Sequence, residues 1–358
     1  MNINLKNLSI AMMLSLAMSG CNGKKQENNI PLIDDNTMKV IFETDMGNDV
    51  DDALALDMLF KYAEDEKIEL LGISSNKRDE GSVEFIDAMT TWYGYPEIPI
   101  GHVVNGKPCD DAVNYAFETI KMTDEKGNKL FPQSHANDSH IIPSVDMYRK
   151  LLAAQEDSSV TVISVGFSTN LAQLLDSPAD DYSPLSGREL VRKKVHNLVM
   201  MGGDFENNNP ADSLSRFREY NIVKDIDAAR KVFSEWPGEI VTSPFELGID
   251  VCYPATSIEN DFTWTTAHPV VEAYKVYLPM PYDRPTWDLT SVLYAIEGQE
   301  NYFTLSQPGT ITVEPLGGTL FTPDVNGQHR YIMADSTQKA NIVARFLELI
   351  PSIPAKRK

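Results

Sequence analysis

The chain has 358 residues, with 52 acidic and 31 basic side chains and a formal net charge of −21. Hydrophobic residues make up 42% and charged residues 23%, a globular composition that excludes collagen-like, disordered and polytopic membrane classes. The acidity also excludes a nucleic-acid polymer as the main partner, because phosphate backbones want a basic surface.

At the start, Lys6 precedes a short apolar run over residues 8–18. This run is too short for a membrane span, which needs roughly 18–20 apolar residues, and it reads as a secretory signal. Ser19, Gly20 and Cys21 follow, an ending that resembles the bacterial lipobox, with Met18 where Leu is usual. The pattern predicts a signal peptide over 1–20 and acylation of Cys21. The protein would then be exported and held at a bacterial membrane, on the periplasmic face or the cell surface, through its lipid anchor only. Plain secretion with an incidental cysteine is the alternative. Residues 21–37 are polar and lack periodicity, as a tether between lipid and folded body would be. Two other cysteines, Cys109 and Cys252, match no zinc spacing; pairing and two free thiols both stay open.

From residue 38 onward, apolar strand-like runs alternate with amphipathic helical stretches. Strands are predicted at 38–43, 68–74, 160–165, 196–201 and 239–242. Helices are predicted at 53–63, 83–93, 145–154, 170–175 and 225–233. This alternation argues an α/β fold: one domain over 38–358 built on an open, mostly parallel sheet with helices on both faces. Near the end, Gly309–Val313, a Gly317-Gly318 turn and residues 330–333 predict a C-terminal β-hairpin insertion, closed by a helix at Ser336–Leu349.

The chemistry begins where the first strand ends. Residues 43–56 read ETDMGNDVDDALAL and place Asp45, Asp49, Asp51 and Asp52 within eight positions. Carboxyl ends of parallel strands face the ligand crevice. Acids crowded there repel unless a cation or a helix N-terminus neutralises them. An all-oxygen donor set suits a hard ion such as Ca²⁺ or Mg²⁺; a run of acids on a solvated helix start is the plainer alternative. The glycine and glutamate of an EF-hand loop are missing from every register. An aspartyl-nucleophile phosphatase would need Asp where Glu43 stands.

This cluster resembles the signature of the nucleoside hydrolase family (inosine-uridine preferring type), Asp-Thr-Asp-Pro-Gly-x-Asp-Asp. Here it carries two extra residues and lacks the first Asp and the Pro. Further landmarks follow in the family's order. Residues 71–76 (LGISSN) resemble its second-strand segment, and residues 164–172 (SVGFSTNLA) resemble its Pro-Thr-Gly-Gly-x-Thr-Asn-x-Ala. Residues 199–203 (VMMGG) resemble its Met-Gly-Gly strand end, while Glu219-Tyr220-Asn221 with Asp225 resembles Glu-Phe-Asn-x-x-x-Asp. Trp287-Asp288-Leu289-Thr290-Ser291-Val292 resembles His-Asp-x-x-Ala-Val.

The resemblance implies calcium-dependent hydrolysis of the N-glycosidic bond of a small nucleoside or riboside. In it, Asp45, Asp52, Asp288 and the Val165 carbonyl hold Ca²⁺, and Asp45 also serves as catalytic general base. Asp51, Asn76, Met201, Glu219, Asn221 and Trp287 contact substrate. Glu219 and Asn221 as plain helix caps, and Met201 as plain core, stay open as alternatives. Asp49 lies in the insertion, either behind the ligands or in solvent. Trp287 stands where well-known members carry a histidine that helps protonate the leaving base. That leaves His135 and His140 as candidates for the role, whereas His102, His196, His268 and His329 read as structural or surface residues. The second reading is a non-catalytic, calcium-dependent riboside- or sugar-binding lipoprotein. A homo-oligomer is compatible with either.

Overall fold

Val40, Ile41 and Phe42 are all buried, yet Val40 and Phe42 enter one apolar core and Ile41 another. A strand apolar on both sides has to be covered on both sides. The computed structural model describes residues 37–108, 113–134 and 140–357. The predicted signal, Cys21 and its tether, Cys109 and His135 lie outside the described residues. Cys252 is a free, half-buried thiol.

Thirteen strands are found among the described residues. In chain order they are β1 (Met38–Thr44), β2 (Ile68–Ser75), β3 (Ile100–His102), β4 (Ile141–Pro143), β5 (Val160–Ser164), β6 (Val195–Met201), β7 (Glu239–Ser243), β8 (Cys252–Tyr253), β9 (Arg284–Pro285), β10 (Thr304–Leu305), β11 (Gly309–Val313), β12 (Thr319–Pro323) and β13 (His329–Met333). Eleven form one sheet in the order β12-β11-β13-β7-β6-β5-β1-β2-β3-β4, with β10 beside β13; β8 and β9 pair separately. From β13 to β4 every neighbour is parallel. Helices Asp51–Glu64, Ser82–Tyr93, Pro269–Tyr277, Trp287–Glu297 and Ser336–Leu349 cover one face. Helices Ser144–Ala154, Thr169–Asp176, Gly187–Lys194 and Ile226–Glu235 cover the other. No described helix is long and apolar enough to cross a membrane.

The α/β expectation holds, with one correction at the carboxyl-terminal end. The hairpin is made by β11 and β12, so the returning strand is Thr319–Pro323 and not 330–333. Gly317 takes φ +87, a left-handed conformation suited to glycine, and the chain reverses there and pairs at once. Residues His329–Met333 instead join β7 in parallel, so the hairpin extends the main sheet's edge. The first helix also begins earlier than predicted, at Asp51, which places both acids of the Asp51-Asp52 pair in its first turn.

His329 illustrates how burial couples this sheet to pH. Its Nδ1 accepts the Ile311 N–H at 2.8 Å, and burial pushes its pKa down to about 4. The unfolded chain, with histidine near its ordinary ~6.5, therefore binds more protons between those values. Stability attributable to this ring is complete above about pH 6.5 and is lost as pH falls toward 4. The wild type should lose about 2 kcal/mol through this residue by pH 5, a loss that His329→Asn lacks. Urea unfolding at pH 7 and pH 5 tests this, and an equal acid loss in both proteins would refute it.

Candidate active site

The carboxyl end of β1 delivers Glu43, Thr44 and Asp45 to the crevice side of the sheet. Glu43 is turned inward: its carboxylate accepts the Tyr148 hydroxyl at 2.7 Å and the Asn76 amide at 3.2 Å. Burial raises it to about 7 against those hydrogen bonds. Thr44 ties strand to helix, its hydroxyl donating to Asp52. Asp45 is buried and its Oδ2 has no hydrogen-bond partner. Burial pushes its carboxyl up to about 6, against the pull of the Lys77 ammonium. Behind Asp45 the chain comes so close at Gly166 that a Cβ there would lie 2.7 Å from Asp45 Oδ1 and 2.6 Å from Asn76 Oδ1. Only glycine fits between these two side chains.

Asp51 and Asp52 open the helix Asp51–Glu64, where the macrodipole favours negative charge. Asp51 Oδ2 also accepts the backbone N–H of Asp288 at 3.1 Å, which caps the start of the helix Trp287–Glu297. Carboxylate oxygens of Asp51, Asp52 and Asp288 lie within 4.8 Å of one another, all buried, a grouping able to hold a metal ion. Burial first, and their acid neighbours next, hold these three carboxyls well above the ordinary carboxylate range. Such a site releases protons when it takes up a cation. Two features fit a hard ion: the donors are all oxygen, and the unpartnered Asp45 oxygen lines the same cavity.

That cavity has a volume of about 240 Å³. Its floor is the acids with Val165 and Met201, from the ends of β5 and β6. Glu219, Tyr220 and Asn221 line the cavity too, as do the aromatic rings of Phe245, Tyr277 and Trp287. Glu219 caps a short helix, Tyr220–Lys224, accepting the N–H groups of Asn221 at 2.8 Å and Ile222 at 3.1 Å. The Asn221 amide donates to the Val165 carbonyl at 3.0 Å and meets Met201 Sδ at 3.2 Å. Trp287 donates its indole N–H to the Phe245 carbonyl at 3.0 Å, and the two rings stack with centroids 5.6 Å apart. A Cβ on Gly248 would fall 2.2 Å from Trp287, so a bare backbone there makes room for the indole.

A profile of the family described as inosine-uridine preferring nucleoside hydrolase matches residues 40–344. The chain belongs to that family. A search of curated proteins finds no match. Among solved structures, a purine-preferring ribonucleoside hydrolase from Gardnerella vaginalis is similar at TM-score 0.65 and 19% identity, covering 87% of this chain and 98% of that one. A plant nucleoside hydrolase, PpNRh1, is similar at TM-score 0.64 and 18% identity, covering 88% and 99%. The type III effector XopQ, solved with adenosine diphosphate ribose, is similar at TM-score 0.61 and 14% identity, covering 89% and 96%.

For a nucleoside hydrolase, the sequence-predicted residues mostly converge. Asp45, Asp51, Asp52, Val165, Met201, Glu219, Asn221, Trp287 and Asp288 all line the one cavity. Asn76 does not line it. Its side chain is buried behind Asp45, donating to Glu43 and accepting the Phe167 N–H at 3.1 Å. Asp51 joins Asp52 and Asp288 in the tight acid grouping, in the place where the resemblance put Asp45. The Val165 carbonyl, expected on the metal, accepts from Asn221. Asp49 is neither free nor solvated, being gripped by Arg284. None of the described histidines, His140 included, lines the cavity. Asn48, Phe245 and Tyr277 line it without having been found in the sequence. Asn48 sits inside the insertion, and the two aromatics lie in stretches with no motif around them.

Protons and cation compete for the three acids, so Ca²⁺ added to chelator-treated protein should raise its melting temperature. The gain should be larger at pH 8 than at pH 5.5, because protons compete better for the raised carboxyls as the pH falls. At a hundredfold excess over Kd the stabilisation behind it amounts to about 2.7 kcal/mol. Asp288→Asn should lose most of it. Melting indifferent to Ca²⁺ at both pH values would refute the metal assignment.

Proposed function

We propose that this nucleoside hydrolase cleaves the N-glycosidic bond of ribonucleosides in a calcium-dependent reaction at this cavity, releasing base and ribose. The observation that carries the reading is the unpartnered, buried Asp45 carboxylate oxygen beside the Asp51–Asp52–Asp288 grouping. Asp52, Asp288 and Asp51 or Asp45 would hold Ca²⁺, which when bound supplies Lewis acidity toward water and hydroxyl oxygens. Asp45, with a pKa near 6, is placed to take the proton of the attacking water as general base. As the water oxygen bonds to the anomeric carbon, the bond to the base nitrogen breaks and its electron pair leaves with the base. The sugar passes through an oxocarbenium-like state that the surrounding carboxylates stabilise. Glu219 and Asn221 face the same space and supply acceptor and donor groups for ribose hydroxyls.

The base would lie against Trp287, Phe245 and Tyr277. Tryptophan has no titrating proton, and its N–H is already given to the Phe245 carbonyl. This same observation favours the second reading, a calcium-dependent riboside binder without turnover. A nucleoside panel with a reducing-sugar assay, with and without chelator, separates the two: binding without sugar release would support the binder.

On the proposed mechanism, Asp45→Asn keeps size and one ligand oxygen but cannot accept a proton. It should lower kcat about 10²–10⁴-fold with a much smaller change in KM. Near-normal kcat would move the base role to another acid.

We also propose that the enzyme acts outside the cytoplasm as a lipoprotein, on the strength of Lys6, the short apolar run and the Ser19-Gly20-Cys21 ending. Cys21→Ser should shift it from the membrane to the soluble fraction. A variant that still sediments with membranes would exclude the acyl anchor.

A further inference from the structure

Asp49 lies in the stretch where this chain carries two residues more than the family pattern, and Arg284 lies in β9, just ahead of Trp287 and Asp288. The two side chains meet in a fork. Arg284 Nε donates to Asp49 Oδ1 at 2.8 Å, and Nη2 donates to Oδ2. Their side chains are only 17% and 22% exposed, so this is not one of the solvated surface pairs that contribute little. Gripping both carboxylate oxygens fixes the direction of the guanidinium plane as well as its position.

The guanidinium carbon sits 5.0 Å from the centre of the Tyr277 ring and 5.2 Å from that of Trp287. Both rings line the cavity, whereas Arg284 itself does not. Tyr277 ends the helix Pro269–Tyr277 and Trp287 begins the helix Trp287–Glu297. One cation thus spans two rings that arrive on different helices, and the inserted loop holds that cation in place. A base that stacks needs its ring partners at a set separation and tilt.

We propose that Arg284, oriented by Asp49, is a positioning residue that sets the Tyr277–Trp287 wall against which the heteroaromatic base of the substrate lies. The inference rests on the nucleoside reading of the cavity. The acids of the ribose end, Asp45, Asp51, Asp52 and Asp288, feel the Arg284 charge, which draws the Asp51 carboxyl down. A lysine at 284 keeps that charge and removes only the planar fork, so the two ends still give different readouts.

The test compares wild type with Arg284→Lys, which keeps a cation for Asp49 but loses the planar fork, and with Arg284→Gln. Three quantities are measured on the calcium-loaded protein: KM and kcat for a nucleoside, the inhibition constant of free ribose, and the Ca²⁺-induced rise in melting temperature. For Arg284→Lys, the KM for nucleoside should rise about tenfold with kcat within about twofold. Ribose inhibition and the calcium response should match wild type. Arg284→Gln should show the same rise in KM where it folds; Arg284→Lys, which keeps the charge beside Asp51, carries the comparison of the two ends. Unchanged KM in Arg284→Lys overturns the proposal. So does an equal weakening of nucleoside and ribose, which would put Arg284 in service of the acid end. Wild type that neither turns over nor binds nucleosides overturns the nucleoside reading, and this inference with it.

Discussion

Asp45, Asp51, Asp52 and Asp288 are each no more than 4% exposed and border one cavity. Two like charges 4 Å apart repel by about 4 kcal/mol at an effective dielectric of 20, so four ionised carboxylates cannot share this space unaided. The fold answers the problem piece by piece. Thr44 donates to Asp52, and the Asp288 N–H donates to Asp51. Two helix starts point their positive ends at the acids. Lys77, itself buried and held by Asn48 and Asp79, draws down the carboxyls of Asp45 and Asp52. Burial still wins over these partners, because the carboxyls stay raised. The remaining imbalance is what a hard divalent cation would neutralise, and it makes this site a metal site more readily than a plain hydrogen-bonded core.

The parallel sheet explains why acids from such distant stretches meet. Strands β6, β5 and β1 are neighbours and all run the same way, so their carboxyl ends bring Met201, Val165 and Asp45 to one rim. The helix Trp287–Glu297 comes from far along the chain and packs against the helix Asp51–Glu64. This contact sets Asp288 beside Asp51 and Asp52. Neither segment could form the grouping alone. A mutation that loosens this helix pair therefore acts on the metal site without touching an acid.

Most of the long strands and helices were legible in the sequence because each buries an apolar run or stripe, but the helices Gly187–Lys194, Pro269–Tyr277 and Trp287–Glu297 were not found. Strands β3 and β4 were not, since three residues carry no period. The hairpin was misread because the glycine turn was recognised but not the strand that begins right after it; β12 mixes buried and exposed positions and ends in proline. At the site, residues inside family motifs were legible as a set, although not in their finer roles. Asn76 shows why: a motif gives a position along the chain, while the approach of Gly166 decides that its amide serves Glu43 and Phe167. Phe245, Tyr277 and Arg284 had no local signal at all. Their significance arises only from rings and charges that tertiary packing brings together.

The tryptophan at position 287 shapes how the proposed reaction distributes its work. A histidine there could give a proton to the departing base; an indole cannot, and this one has its N–H committed to a backbone carbonyl. The wall of Phe245, Tyr277 and Trp287 can bind and orient a base, yet ring contact is nearly the same before and after the bond breaks. Uniform binding of that kind lowers KM without lowering the barrier. The barrier must then come down at the ribose end, through the proton-accepting Asp45 and the carboxylates facing the cationic sugar. This division assigns catalysis to the acid floor and recognition to the aromatic wall. The acids of the floor come from the end of β1 and from two helix starts, while the wall is held by the Trp287–Phe245 hydrogen bond and stacking and by the Arg284 cation between Trp287 and Tyr277.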